Sequence, residues 1–370
     1  MKRFPILFGI FCACIVSLAW SETAATCNGD WIEFHRPNMR RWNPCEKTLN
    51  VNNVGMLKEL WSYTTGNSVD SSPAVVNGVV YLGSHDNNVY ALDVSTGAKR
   101  WSYTTGSGVR SSPAVVNGVV YVGSEDGNVY ALNATTGAKL WNYTTGSSVD
   151  SSPTVADGVV YVGNLNGIVY ALNASAGSLL WSYQTGNALY PSPAVANGIV
   201  YVGSDQVYAL DAKSGALVWS YAIATSSSFA LANGMAYVGS YDFKVYAFNA
   251  STGVLLWRHT TGKVDSSPAV ANGVVYVGSI NKNAYALSAK TGAVLWSHTI
   301  GEPMDSSPAV ANGVVYVGSR DGHLYALSAK TGALLWSYLA YGEVSSSPTV
   351  TNGVVYVGSG SGLVYAFGLK

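Results

Sequence analysis

One slot in this chain collects the residues best suited to chemistry. It lies three positions ahead of a Pro, or of the Phe that once replaces it, and holds Asp70, Arg110, Asp150, Tyr190, Asp265 and Asp305, with Ser226 and Ser345 completing the set. It is the second letter of a recurring phrase, VDSSPAVVNGVVY in its first copy (Val69–Tyr81), whose other letters barely change. Several carboxylates on one rim, with carbonyls beside them, form the donor set that hard cations such as calcium prefer. Arg110 and Tyr190 in the same slot suit a small polar ligand instead. Asp265 and Asp305 come from successive copies and are the best-placed pair. A plainer reading is that Asp before Ser-Ser-Pro caps a turn by accepting backbone N–H bonds. It accounts for the acids and leaves Arg110 and Tyr190 unexplained. Other chemistries find no footing. The five His are scattered, and His259 and His298, which replace a repeated Tyr, read as surface substitutions rather than a metal pair. No Ser-His-Asp order, phosphate loop or close carboxylate pair can be argued.

These residues need elements to position them, and the composition says which kind. Of 370 residues only 11% are charged, while Gly (40), Tyr (25) and Trp (11) are abundant; this mixture favours strands and tight turns. The 20 basic and 20 acidic residues cancel, so charge gives no case for nucleic acid or an anionic membrane as partner. Residues 1–25 carry Lys2 and Arg3, then an apolar run too short for a membrane span, then small residues. They read as a secretory signal, which makes the mature chain extracytoplasmic, periplasmic or secreted, with no membrane span of its own. Cys27 follows Thr26, which speaks against a lipid anchor. After signal removal Cys27 and Cys45 remain, and export makes a disulfide the expected pairing. Such a bridge contributes roughly 3 kcal/mol in the chain-entropy picture. It would close a leader, residues 26–53, whose Trp31, Phe34 and Trp42 need a surface to cover. The leader reads as a lid on the remainder of the chain; the alternative is a partner-binding loop, because Arg36, Arg40 and Arg41 cluster there.

From residue 54 onward the chain is one repeat. Trp61, Trp101, Trp141, Trp181, Trp219, Trp257, Trp296 and Trp336 fall at steps of 40, 40, 40, 38, 38, 39 and 40. Each unit reads as four short strands. In the first, Ser71–Val76 and Val79–Ser84 flank Asn77-Gly78, the strongest short hairpin signal because a type I′ turn needs positive φ twice. Asn88–Val94 and Lys99–Thr105 come next. Four strands per 40 residues without a helical period describe a propeller blade. Trp61 has its own strand but lacks the three before it, and the last unit lacks a Trp strand. The two fragments complement each other, so the expected fold is all-β, an eight-bladed propeller over residues 54–370 closed by its N-terminal strand. The slot residues would then stand on one rim of the central channel. Two places depart from the pattern there: the turn Gly203–Gln206 and the segment Ala222–Leu231 are each two residues short, through drift in a tolerant loop or because a recess is formed.

The third turn and fourth strand, ALDVSTGAKRW (Ala91–Trp101), recur from Ala131, Ala171, Ala209, Ala247, Ala286 and Ala326. They resemble the tryptophan-docking motif of pyrroloquinoline-quinone-type (PQQ-like) propellers. The resemblance covers residues 54–370 and implies the same fold, with the eight Trp docking one blade on the next. It implies two kinds of function. Quinoprotein alcohol dehydrogenases hold the quinone and a calcium ion over the channel, with a catalytic Asp and usually two adjacent cysteines; this chain has no adjacent cysteines in its mature part, no haem-attachment motif and none of the long insertions. Compact exported members, such as the lipoprotein of the outer-membrane β-barrel assembly machinery, are not catalytic. The expectation is a monomeric, non-catalytic binding or assembly scaffold with a protein partner or small polar ligand and no cofactor. The rivals are a PQQ- and calcium-dependent dehydrogenase and a cell-envelope assembly factor.

Overall fold

The computed structural model describes residues 30–35 and 39–370; the expected signal segment, Cys27 and Arg36 lie outside them. Eight four-stranded antiparallel blades form the molecule, seven of them laid out in chain order from the axis outward. Blade one consists of Ala74–Val76, Val79–Gly83, Asn88–Asp93 and Lys99–Thr104. Blades two to seven repeat it over residues 114–144, 154–184, 194–221, 230–260, 269–299 and 309–339. Blade eight has Thr349–Thr351, Val354–Gly358 and Leu363–Gly368, and Lys58–Thr64 supplies its outer strand, with Trp61 opposite Ala366. The first strands of neighbouring blades touch around the whole circle, blade eight returning to blade one. The ring is closed as the split repeat requires.

Local rules explain the blade. Asn77 and Gly78 both adopt positive φ, 50° and 74°, as the hairpin demands. Every residue of Val79–Gly83 is buried, because this strand is covered on both faces by neighbouring blades. The first strand has three residues where the sequence predicts six. Pro73 has no N–H to give a ladder, and Ser71 and Ser72 turn instead toward the next blade, where the Ser71 hydroxyl donates to Ser111 O at 3.1 Å.

The tryptophans make the perimeter. Trp61, Trp101, Trp141, Trp181, Trp219, Trp257, Trp296 and Trp336 each donate their indole N–H to a carbonyl of the following blade or its closing strand, at 2.8–3.2 Å. Seven of the rings, all but that of Trp336, also lie on the turn glycine of that blade. At Gly137, with φ +72°, an added Cβ would stand 2.7 Å from the Trp101 ring, so the glycine serves both the turn and the close approach. Removing ~150–250 Å² per indole from water gives about 4–6 kcal/mol as an upper bound.

The leader runs around the inside of the ring. Trp31 pairs with Val75 of blade one, and Ile32 O accepts from Val115 N of blade two at 2.7 Å. Glu33 Oε2 accepts from Val155 N of blade three at 3.2 Å. Met39, Arg40 and Arg41 carbonyls then take Leu231, Val270 and Val310 N–H groups of blades five, six and seven. Trp42–Asn43 adds a parallel strand to blade seven, and Asn43 Nδ2 donates to Val350 O of blade eight at 2.8 Å. The inner edges of the first strands would otherwise present unpaired backbone groups to the channel.

Candidate functional site

All eight slot residues face one cavity of about 490 Å³ at the channel mouth. Asp70, Arg110, Asp150, Tyr190, Asp265 and Asp305 are thus brought together as a ring, joined by Tyr241, Arg320 and, from the leader, Phe34. The floor behind Phe34 is pinned by Arg41. Its buried guanidinium donates to the carbonyls of Pro308 at 3.0 Å, Pro348 at 2.9 Å and Phe34 at 2.5 Å, and lies 4.6 Å from the Phe34 ring centre. Arg41 is therefore spent inside the molecule, and burial lowers its pKa to about 9. Two further ionisable groups of the leader, Glu33 and His35, are also buried. Burial raises Glu33 to about 7, against the Val155 N–H bond. Burial, then the charge of Arg41, lowers His35 to about 3.

The rim carboxylates face cations. Asp70 lies 3.1 Å from His85 Nε2 and 4.0 Å from Arg110 Nε, whose Nη1 is 3.8 Å from Asp150. Asp265 meets Lys263 Nζ at 2.9 Å and takes the Ser226 hydroxyl at 2.8 Å. Asp305 receives Arg320 Nε at 2.6 Å, a bond that raises the arginine pKa. These partners are side chains, so the turn-capping reading of the acids is replaced by a ring of ion pairs. Turn capping falls to other residues. Asp93 accepts from the Ser95 and Thr96 N–H groups at 3.0 Å, and Asp86 holds Gly66 N and the Tyr90 hydroxyl at 2.6 Å.

Below the rim lies a feature that sequence reasoning takes for plain strand. The serine before each Pro donates its backbone N–H to the hydroxyl of the matching serine one blade on. The circuit runs Ser72, Ser112, Ser152, Ser192, Ser228, Ser267, Ser307, Ser347 and back to Ser72, with every bond between 2.8 and 3.0 Å. All eight line the cavity. The circuit survives in blade four, where Pro191 replaces the first serine, and in blade five, where Phe229 replaces the Pro.

The partners His85 and Arg320 also escape sequence reasoning, although a signal exists. Each stands fifteen residues after its aspartate, in a second slot that repeats as Glu125 after Arg110 and Tyr241 after Ser226. Pairing the two slots sets opposite charges together for Asp305 and Arg320, but Leu165 and Ile280 stand opposite Asp150 and Asp265. The short turns of blades four and five lie on this same face, beside exposed Tyr190 and Tyr241.

For calcium, the fit is poor. A hard cation needs several free carboxylate oxygens, yet the four rim acids face His85, Arg110, Lys263 and Arg320. Among the described residues no group of three or more His, Cys, Asp or Glu could hold a metal. These residues do not fit the ion that accompanies the quinone in dehydrogenases.

The fold is shared with BamB from Moraxella catarrhalis, at 20% identity and TM-score 0.75, over 84% of this chain and 99% of that one. It is shared with the quinohemoprotein alcohol dehydrogenase of Comamonas testosteroni, at 18% identity and TM-score 0.83, over 94% of this chain and 81% of that one. A stretch of 72 residues, 19% of this chain, is 36% identical to the dehydrogenase subunit of a quinone alcohol dehydrogenase from Gluconobacter oxydans, of which it spans 9%. A family model described as outer membrane protein assembly factor BamB matches residues 57–189, 186–303 and 242–370. With its docking tryptophans, closed ring and matches running the length of the propeller, the chain belongs to that PQQ-like propeller family.

Proposed function

We propose that this protein is an extracytoplasmic, non-catalytic binding or assembly scaffold that engages a protein partner or small polar ligand at the channel mouth and the turns around it. The observation that carries this reading is the pairing of the rim: each acid already has a cation opposite, so the mouth is a mixed-charge recognition surface rather than a set of free carboxylates. In this reading residues 1–25 are removed on export, a Cys27–Cys45 bridge closes the leader as a lid, and the chain acts as a monomer. The description of its family supports a role in assembling outer-membrane proteins as the finer form. The rival is a quinoprotein-like dehydrogenase, favoured by the propeller shared with the Comamonas enzyme. Purified protein mixed with pyrroloquinoline quinone and calcium decides between them. The scaffold reading expects no thermal shift and no dye reduction with alcohols, and a cofactor-dependent rate overturns it. Capture of a defined protein from cell-envelope extracts supports the assembly form; a monomer that retains none counts against it.

A further inference from the structure

We infer that the channel mouth recognises a neutral, polyhydroxylated ligand, a saccharide, an inference that rests on the scaffold reading of the same site. Three observations converge on it. First, the eight circuit serines are 3–5% exposed and line the cavity. Each hydroxyl oxygen accepts one N–H from the preceding blade, and among the described residues no acceptor takes its O–H. A hydroxyl in that state has one proton to give and one lone pair to offer. Buried donors of this kind ordinarily have partners, and eight of them open on one space. A ligand hydroxyl, itself both donor and acceptor, complements them; a simple cation or anion uses only half of what they offer.

Second, the rim is electrically mixed. Arg110 lies between Asp70 and Asp150, and Arg320 bonds Asp305, so an ion of either sign meets a like charge and must break pairs. A neutral ligand can bond both members of a pair and leave it intact. Third, the wall carries aromatic faces on one side only. Tyr190, from blade four, is 49% exposed next to the turn that is two residues short, and Tyr241, from blade five, is 39% exposed with the Lys263 ammonium 4.4 Å from its ring centre. An apolar ring face beside a polar floor fits the two sides of a pyranose. A cavity of about 490 Å³ lies within the usual ~300–1,000 Å³ of small-ligand sites, with room for one or two sugar units.

Titration calorimetry and saturation-transfer NMR on the full chain test this, with glucose, cellobiose and N,N′-diacetylchitobiose as probes and sodium sulfate and calcium chloride as ionic comparisons. The expected result is one-to-one binding of at least one saccharide, insensitive to a chelator. Tyr190→Ala should weaken it about tenfold at unchanged melting temperature. Ser152→Thr, which keeps the oxygen that accepts the Ser112 N–H, should weaken it by crowding the floor. No saccharide bound at about 10 mM, where a ligand of millimolar affinity approaches saturation, overturns the inference. So does binding of sulfate or calcium alone, or saccharide binding that neither variant alters. None of these readouts uses the quinone, so a cofactor-dependent rate sinks the scaffold reading separately.

Discussion

The perimeter and the mouth of this propeller are built from the same repeat and obey different rules. On the perimeter all eight positions hold Trp, and the seven glycines of the intact docking motifs never change, because an indole and a positive-φ turn meet at a distance that admits no Cβ. At the mouth one slot holds Asp, Arg, Tyr and Ser in turn. Its side chains meet each other across blades, as Arg110 meets Asp70 and Asp150, or meet the turn of their own blade, as Asp305 meets Arg320. Packing at fixed geometry tolerates no variation; partly exposed charge pairs tolerate much, since each is worth ~0–1 kcal/mol.

That contrast can be broken at several strengths. Deleting Val54–Thr65 removes Trp61 and the strand that completes blade eight. It should cost more than about 5 kcal/mol and abolish a single cooperative melt by circular dichroism; a melt within a few degrees of the parent would mean that closure contributes little. Gly137→Ala places a methyl against Trp101 at positive φ and should cost about 3 kcal/mol or more, whereas Gly118→Ala, also at positive φ but with nothing within 4 Å, should cost about 1–2 kcal/mol. Equal denaturation midpoints for the two would remove the docking argument.

The buried leader gives a pH signature. The Glu33 pKa is raised from 4.5 to about 7, so its protonated form favours folding, and stability should fall as pH rises through that window, by about 3 kcal/mol at most. The His35 pKa is lowered from 6.5 to about 3, so its contribution is lost as pH falls from 6.5 toward 3. The two slopes oppose each other between 4.5 and 6.5, which predicts a plateau there. Glu33→Gln should flatten the alkaline limb of denaturant midpoint against pH and turn the plateau into a rise with pH, because His35 then titrates unopposed; an unchanged profile would place the titration elsewhere. The smallest effects belong to the mouth. Arg110→Ala and Asp305→Asn should each shift stability by less than about 1 kcal/mol, and a loss of several in a thermal melt would show the rim to be structural.

The parts of this molecule that are legible in its sequence are those governed by local chemistry. Asn77-Gly78 announces its turn because only certain residues accept positive φ. The lone strand around Trp61 and the missing strand after Leu369 announce closure because a blade needs four. The leader's path is illegible, since its bonds to blades one, two, five, six and seven are made by backbone groups that every residue carries. The serine circuit is hidden for a related reason: Ser71 and Ser72 look like strand residues until the neighbouring blade supplies their partners. The rim is visible as a slot, but its pairing is not. His85 and Arg320 lie one turn later in the chain, and only the fold brings that turn back over the channel.

The leader's track also sets an order of events. Trp31 finds its partner at Val75, but Asn43 must await Val350, and Trp61 must await Ala366. Residues 43 and 61, which precede the ring in the chain, are thus among the last to settle, and contacts so distant in sequence are slow to form. Until Leu363–Gly368 is in place, Lys58–Thr64 has no strand to pair with. A ring of this design becomes a closed body only when its two distant strands, Lys58–Thr64 and Leu363–Gly368, meet.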